Sequence, residues 1–87
     1  MKLKEGWVLT EMDGEYVAVP TKESAETFSG VVRLNETAKE IWEGLADGLD
    51  EAGLAKKLVS LYEVTPEQAK QAVQNVIAAL TAEGLLV

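Results

Sequence analysis

The pair Asp13-Gly14 constrains this chain more than any other feature. It lies between two runs that favour extended backbone, Trp7-Val8-Leu9-Thr10-Glu11-Met12 and Glu15-Tyr16-Val17-Ala18-Val19. Asp-Gly flanked by apolar, β-prone segments is the strongest short-range signal for a two-residue hairpin. Gly14 takes a positive φ without steric cost, and Asp13 tolerates one better than most residues. Such a turn pairs Met12 with Glu15, Thr10 with Val17 and Val8 with Val19. The opposite face carries Trp7, Leu9, Tyr16 and Ala18. Both faces are substantially apolar, so the hairpin is expected to be covered on each side. Alternation alone leaves open which face meets the core.

Pro20 closes the second strand because it cannot donate to a ladder. Thr21 to Ser29 reads as a polar connection, and Gly30 to Leu34 as a third, short, β-branched strand. Three helices follow. Asn35 is an N-cap, with Glu36 in the first turn and Ala38, Ile41, Trp42 and Leu45 on one face. Asp47-Gly48 stops that helix. Asp50 caps the second, with Leu49 placed to staple onto Leu54, and an apolar set of Leu54, Ala55, Leu58, Leu61 and Tyr62. Thr65-Pro66-Glu67-Gln68 opens the third with a cap, a proline at the first helical position and a glutamine that completes a capping box. Its apolar face, Ala69, Ala72, Val73, Val76, Ile77 and Leu80 with Ala79 alongside, is wider than one contact stripe needs. Gly84 ends it, and Leu85-Leu86-Val87 is expected to pack back as an extended tail.

Strands grouped before helices predict an α+β fold. Residues 1–34 would supply a three-stranded antiparallel sheet and 35–87 three helices in a winged helix-turn-helix-like arrangement. At 87 residues the chain is a single domain near the size at which one core suffices. It has no histidine and no cysteine, so the usual bases, thiolate nucleophiles and soft metal ligands are missing from the outset. No catalytic, metal or cofactor residue is expected. Glu36, Glu40 and Glu43 read as a solvated helix stripe. Fifteen acidic residues against eight basic ones give a net charge of −7, a field that repels polyanions and argues against nucleic-acid binding. The last helix would need arginines to enter a major groove as a DNA reader, and it has none. No apolar run approaches a membrane span, and the N-terminus lacks a signal-peptide pattern. A cytoplasmic protein is expected.

The stretch Phe28-Ser29-Gly30-Val31-Val32-Arg33-Leu34-Asn35-Glu36-Thr37-Ala38-Lys39-Glu40-Ile41-Trp42-Glu43, then Tyr62-Glu63-Val64-Thr65, Ala72 to Leu80 and the terminal Gly84-Leu85-Leu86 together resemble the PqqD-like family. These domains are also called RiPP recognition elements, RiPPs being ribosomally made, modified peptides. The resemblance implies a peptide chaperone of natural-product biosynthesis. It would bind the leader segment of a precursor peptide and present it to a modifying enzyme, often a radical S-adenosylmethionine maturase. The leader would add as a strand to the edge formed by Val31, Val32, Arg33 and Leu34, against a helix wall of Gln68, Ala72, Asn75, Val76 and Ala79. One departure stands out: related sequences often have an acidic residue where this chain has Ala72. A docking module for a protein partner, with no leader peptide, is the alternative reading.

Overall fold

The computed structural model describes residues 2–3, 6–21 and 32–86. Three strands, β1 (Trp7–Met12), β2 (Glu15–Pro20) and β3 (Val32–Leu34), precede three helices, α1 (Glu36–Ala46), α2 (Glu51–Leu61) and α3 (Pro66–Ala82). The sheet is antiparallel, in the order β1-β2-β3. The expected α+β fold, a three-stranded antiparallel sheet followed by three helices, is the observed one. Of the polar connection read over Thr21 to Ser29, only Thr21 is described. Gly30, Val31 and Val87 also lie outside the described residues.

The hairpin pairs Met12 with Glu15, Thr10 with Val17 and Val8 with Val19, the register expected of a two-residue turn. Asp13 at φ 52° and Gly14 at φ 81° are both left-handed, as a type I′ turn requires. This turn also fixes where every backbone group of the sheet points. Its closing pair, Met12 and Glu15, exchanges hydrogen bonds, and in an antiparallel ladder such pairs alternate with non-bonded ones. Odd-numbered residues of β2 therefore bond to β1 and even-numbered ones turn toward β3. A bond from the Thr21 amide to the Gly6 carbonyl, at 2.7 Å, continues that alternation beyond the strands. Pro20 falls opposite Trp7 in a non-bonded pair, where β1 asks for no N–H.

The Trp7 face is the one turned toward the helices. Ala18 and Leu34 are buried in the core, with Trp7, Leu9, Tyr16 and Val32 packed against it. On the other face Val17 is buried, whereas Val8 and Met12 are 48% and 58% exposed. Cover on both faces therefore holds only for the middle of the sheet.

All three helix starts follow their caps. Asn35 Oδ1 accepts from the Ala38 amide at 2.8 Å, and Asp50 Oδ1 from the Gly53 amide at 2.8 Å. Thr65 and Gln68 exchange the reciprocal bonds of a capping box at 3.1 and 2.9 Å. Ile41, Leu54, Leu58, Val73, Leu80 and Leu85 are the largest fully buried side chains, and they tie the three helices to the C-terminal tail. Leu86 bridges to Leu3.

Two expectations need correcting. Leu61 has the right spacing for the core face of α2 but is 53% exposed. It is the last residue of α2, and the core face runs from Leu58 to the C-cap Tyr62 instead. The acidic stripe on α1 is not solvated throughout either. The Glu40 side chain is only 15% exposed and accepts from Lys39 Nζ at 2.8 Å, with Lys57 Nζ at 3.3 Å. Lys57 also donates to the Glu40 backbone carbonyl at 2.8 Å, pinning α2 to α1.

Candidate functional site

The hairpin's alternation leads directly to the open edge of the sheet. Tyr16 and Ala18 turn their backbone groups toward β3 and face Leu34 and Val32, so those two residues spend their N–H and C=O on β2. Arg33 lies between them opposite Val17, in a non-bonded pair. Its amide and carbonyl therefore point away from the sheet. β3 is an edge strand, and an edge with unpaired groups is a template for another strand unless something covers it.

Beside that edge lies an open groove of about 340 Å³. Val32, Arg33 and Leu34 form one wall, and Asn75, Val76, Ala79 and Leu80 of α3 with its C-cap Glu83 the other, with Asn35 and Ala38 at the start of α1 between them. Sequence logic explains why it is open. Ala69, Val73 and Leu80 anchor the core flank of α3, each almost fully buried. The adjacent flank, carrying Val76 and Ala79, is turned toward β3. The small side chains of Ala38 and Ala79 leave the space between strand and helix unfilled. Gln71 Nε2 donates to Asn75 Oδ1 at 2.9 Å, which leaves the Asn75 NH₂ group as the donor available to a carbonyl in the groove.

Val32, Arg33, Leu34, Asn75, Val76 and Ala79, all read from the sequence as site residues, are brought together here. Val31 lies outside the described residues. Gln68 and Ala72 do not line the groove. Gln68 is committed to the capping box at the N-terminal end of α3, about 12 Å along the helix from Val76. Ala72 is half-buried against the core. An acidic residue at that position, as the resemblance leads one to expect, would thus stand beside the groove rather than in it. Sequence reading did not assign Asn35, Ala38, Leu80 or Glu83 to the site. The signal for the last two was present: both continue the Val76 and Ala79 stripe by four residues. Asn35 and Ala38 already had a sufficient reason to be there, as cap and core.

The electrostatics of the groove are uneven. Arg33 has Glu15 at 4.0 Å, but the two side chains are 78% and 61% exposed, so the pair is worth little. Glu83 takes part in no ion pair among the described residues. A second, more polar depression adjoins the groove at Arg33, Leu34 and Asn35 and extends to Glu15, Tyr16 and Glu36.

Perturbed titrations occur elsewhere, in the seam between α1 and α2. The hydrogen bond from Lys39 holds Glu40 below the usual carboxylate range, and the same contact raises Lys39. Both shifts favour the charged forms, the reverse of what tunes a carboxylate or an amine for proton transfer near neutral pH. Burial, then the nearby Glu36, pushes the Tyr62 phenol up. No group of three metal-capable side chains occurs among the described residues. None of the described helices is long and apolar enough to cross a membrane.

The fold is shared with solved structures. TbiB1 in complex with the TbiA(beta) leader peptide superposes with a TM-score of 0.80 at 20% identity, covering 99% of this chain and 94% of that one. A lasso peptide synthetase B1 complexed with its leader peptide also superposes with a TM-score of 0.80, at 24% identity, covering 99% and 95%. No curated protein matches the chain significantly. Residues 6–86 match the family model for coenzyme PQQ synthesis protein D. With almost its whole length accounted for by that model, the chain belongs to the PqqD family.

Proposed function

We propose that this domain binds the leader segment of a ribosomally synthesised precursor peptide by strand addition to β3 and presents it to a modifying enzyme. The observation that carries this reading is the juxtaposition at Arg33. Backbone groups that face away from the sheet, unpaired among the described residues, supply sequence-independent hydrogen bonds, and the groove beside them supplies selectivity through alternate side chains. The solved structures that share the fold hold leader peptides, which supports the same occupant here.

The domain acts as an adaptor rather than a catalyst. A bound leader raises the concentration of the attached substrate at the enzyme to about millimolar, and this needs no reactive group in the carrier. The resemblance noted in the sequence favours a radical S-adenosylmethionine maturase as that enzyme and the cytoplasm, where precursor peptides are made, as the compartment. The peptide interface would be small, about 1,200 Å² or less, so modest affinity is expected.

A ¹⁵N chemical-shift titration with the leader half of a genomically neighbouring precursor peptide tests the proposal. Saturable shifts concentrated on 32–35 and 75–83 are the expected result. Absence of shifts at about 500 μM peptide would limit the binding free energy to weaker than about −5 kcal/mol. That outcome would favour a docking module for a protein partner.

A further inference from the structure

The geometry of the groove also specifies what kind of segment it selects, given the leader-binding reading above. A peptide residue paired with Arg33 exchanges hydrogen bonds with it and directs its own side chain to the Arg33 face, away from the helices. The residues before and after it then turn to the Val32 and Leu34 face, where the groove lies. Side chains at i and i+2 of the peptide therefore enter a space bounded by Ala38, Val76, Ala79 and Leu80. These four side chains carry no polar atoms, and the polar groups of Asn35, Asn75 and Glu83 line other parts of the groove, so aliphatic side chains suit both positions.

Charge supplies the second criterion. Arg33 is partly answered by Glu15, and Lys39, 5.1 Å from the Tyr16 ring centre, is held by Glu40 and Glu43. Glu83 lines the groove itself and has no cationic partner among the described residues. Around the groove and its adjoining depression, three carboxylates, Glu15, Glu36 and Glu83, face the single guanidinium of Arg33. The domain as a whole carries −7. An acidic segment is repelled here and a basic one attracted.

We propose that the groove selects an extended segment with aliphatic side chains at i and i+2 and a lysine or arginine within reach of Glu83, in preference to an acidic segment.

Four fluorescein-labelled synthetic dodecapeptides test this by anisotropy, with a ¹⁵N spectrum at saturation to confirm the site. Three share a central Leu-Thr-Leu and differ only in two flanking residues, which are both lysine, both glutamine or both glutamate. The fourth has the lysine flanks and a Ser-Thr-Ser centre. The lysine peptide should bind about threefold tighter than the glutamine peptide, and that about threefold tighter than the glutamate peptide. The serine-centred peptide should be at least about tenfold weaker than its leucine counterpart. In Glu83→Gln the spread between the charged peptides should narrow. Equal affinities for the three leucine peptides, with shifts at 32–35, would overturn the charge preference while leaving leader binding intact. Failure of all four to bind, when the neighbouring precursor leader does, would overturn the aliphatic spacing alone. If neither the leader nor any synthetic peptide shifts 32–35, the leader-binding reading itself fails.

Discussion

Two seams of this molecule use small residues to opposite ends. Between α1 and α2, Gly44 lets the helices close. A Cβ at that position would lie 2.5 Å from Leu54 Cδ2 and 3.2 Å from Leu49 Cδ1, so the missing side chain is replaced by its neighbours' methyl groups. Lys57 then locks the seam through Glu40. Between β3 and α3, the small side chains of Ala38 and Ala79 leave a groove that none of the described residues fills. The difference lies in which residues meet across each seam. α2 meets α1 directly through Leu54 and Lys57, whereas α3 buries Ala69 and Val73 in the core and presents Val76 and Ala79 to the strand. Missing volume thus becomes packing in one place and an open groove in the other.

The sharpest way to break this contrast is to add volume to the closed seam. Gly44→Val should cost about 2–3 kcal/mol in urea unfolding, because Leu54 is fully buried and has nowhere to retreat. A loss under about 0.5 kcal/mol would mean that the seam is not tightly packed. Next in size is Arg33→Pro at the open edge. The sequence alone suggests blocking strand addition with proline at Val32, but the register shows that the Val32 amide serves β2, whereas the Arg33 amide faces outward. Proline is tolerated at such an edge position. Leader affinity should fall about tenfold while the unfolding midpoint barely moves. Retained affinity would exclude strand addition at this edge.

A smaller effect is expected from Ala79→Leu, the counterpart of the Gly44 substitution in the open seam. Ala79 is exposed at the groove wall, so stability should stay within about 0.5 kcal/mol. Calorimetric titration with the leader should show weaker binding, by about threefold, as the added side chain occupies the groove. Tighter binding would mean that the peptide leaves this part of the groove empty.

The smallest effect concerns the lock on the closed seam. Glu40 is held below its ordinary value of 4.5 in the folded state, so its contribution is complete above that pH and is lost as the pH falls through the lowered value. Lys39, raised by the same contact, contributes fully below 10.5 and loses its share as the pH climbs through its own raised value. Glu40→Gln should reduce stability near neutrality by less than about 1 kcal/mol and flatten the acid limb of a stability–pH curve. An unchanged acid limb would show that other carboxylates account for it.

Local chemistry made the framework of this protein readable in one dimension. Asp13-Gly14 determined the hairpin register because a two-residue turn with both residues left-handed matches the strand twist. Asn35, Asp50 and Thr65 determined the helix starts because each side chain bonds an amide three residues on. Both signals operate within a few residues, where spacing alone says what will meet. The groove was half legible. Arg33, Val76 and Ala79 followed from a short edge strand, an over-wide apolar face and a resemblance that joined the two.

Tertiary structure decided what depends on elements distant in sequence. Which sheet face meets the helices, why Glu83 reaches the groove, and why Glu40 sits between two lysines rather than in solvent all depend on how α2 and α3 dock. That docking is set by burial summed over Leu54, Leu58, Val73, Leu80 and Leu85. The hydrophobic effect has no direction of its own, so a sequence can state that these residues are inside without stating what will lie beside them.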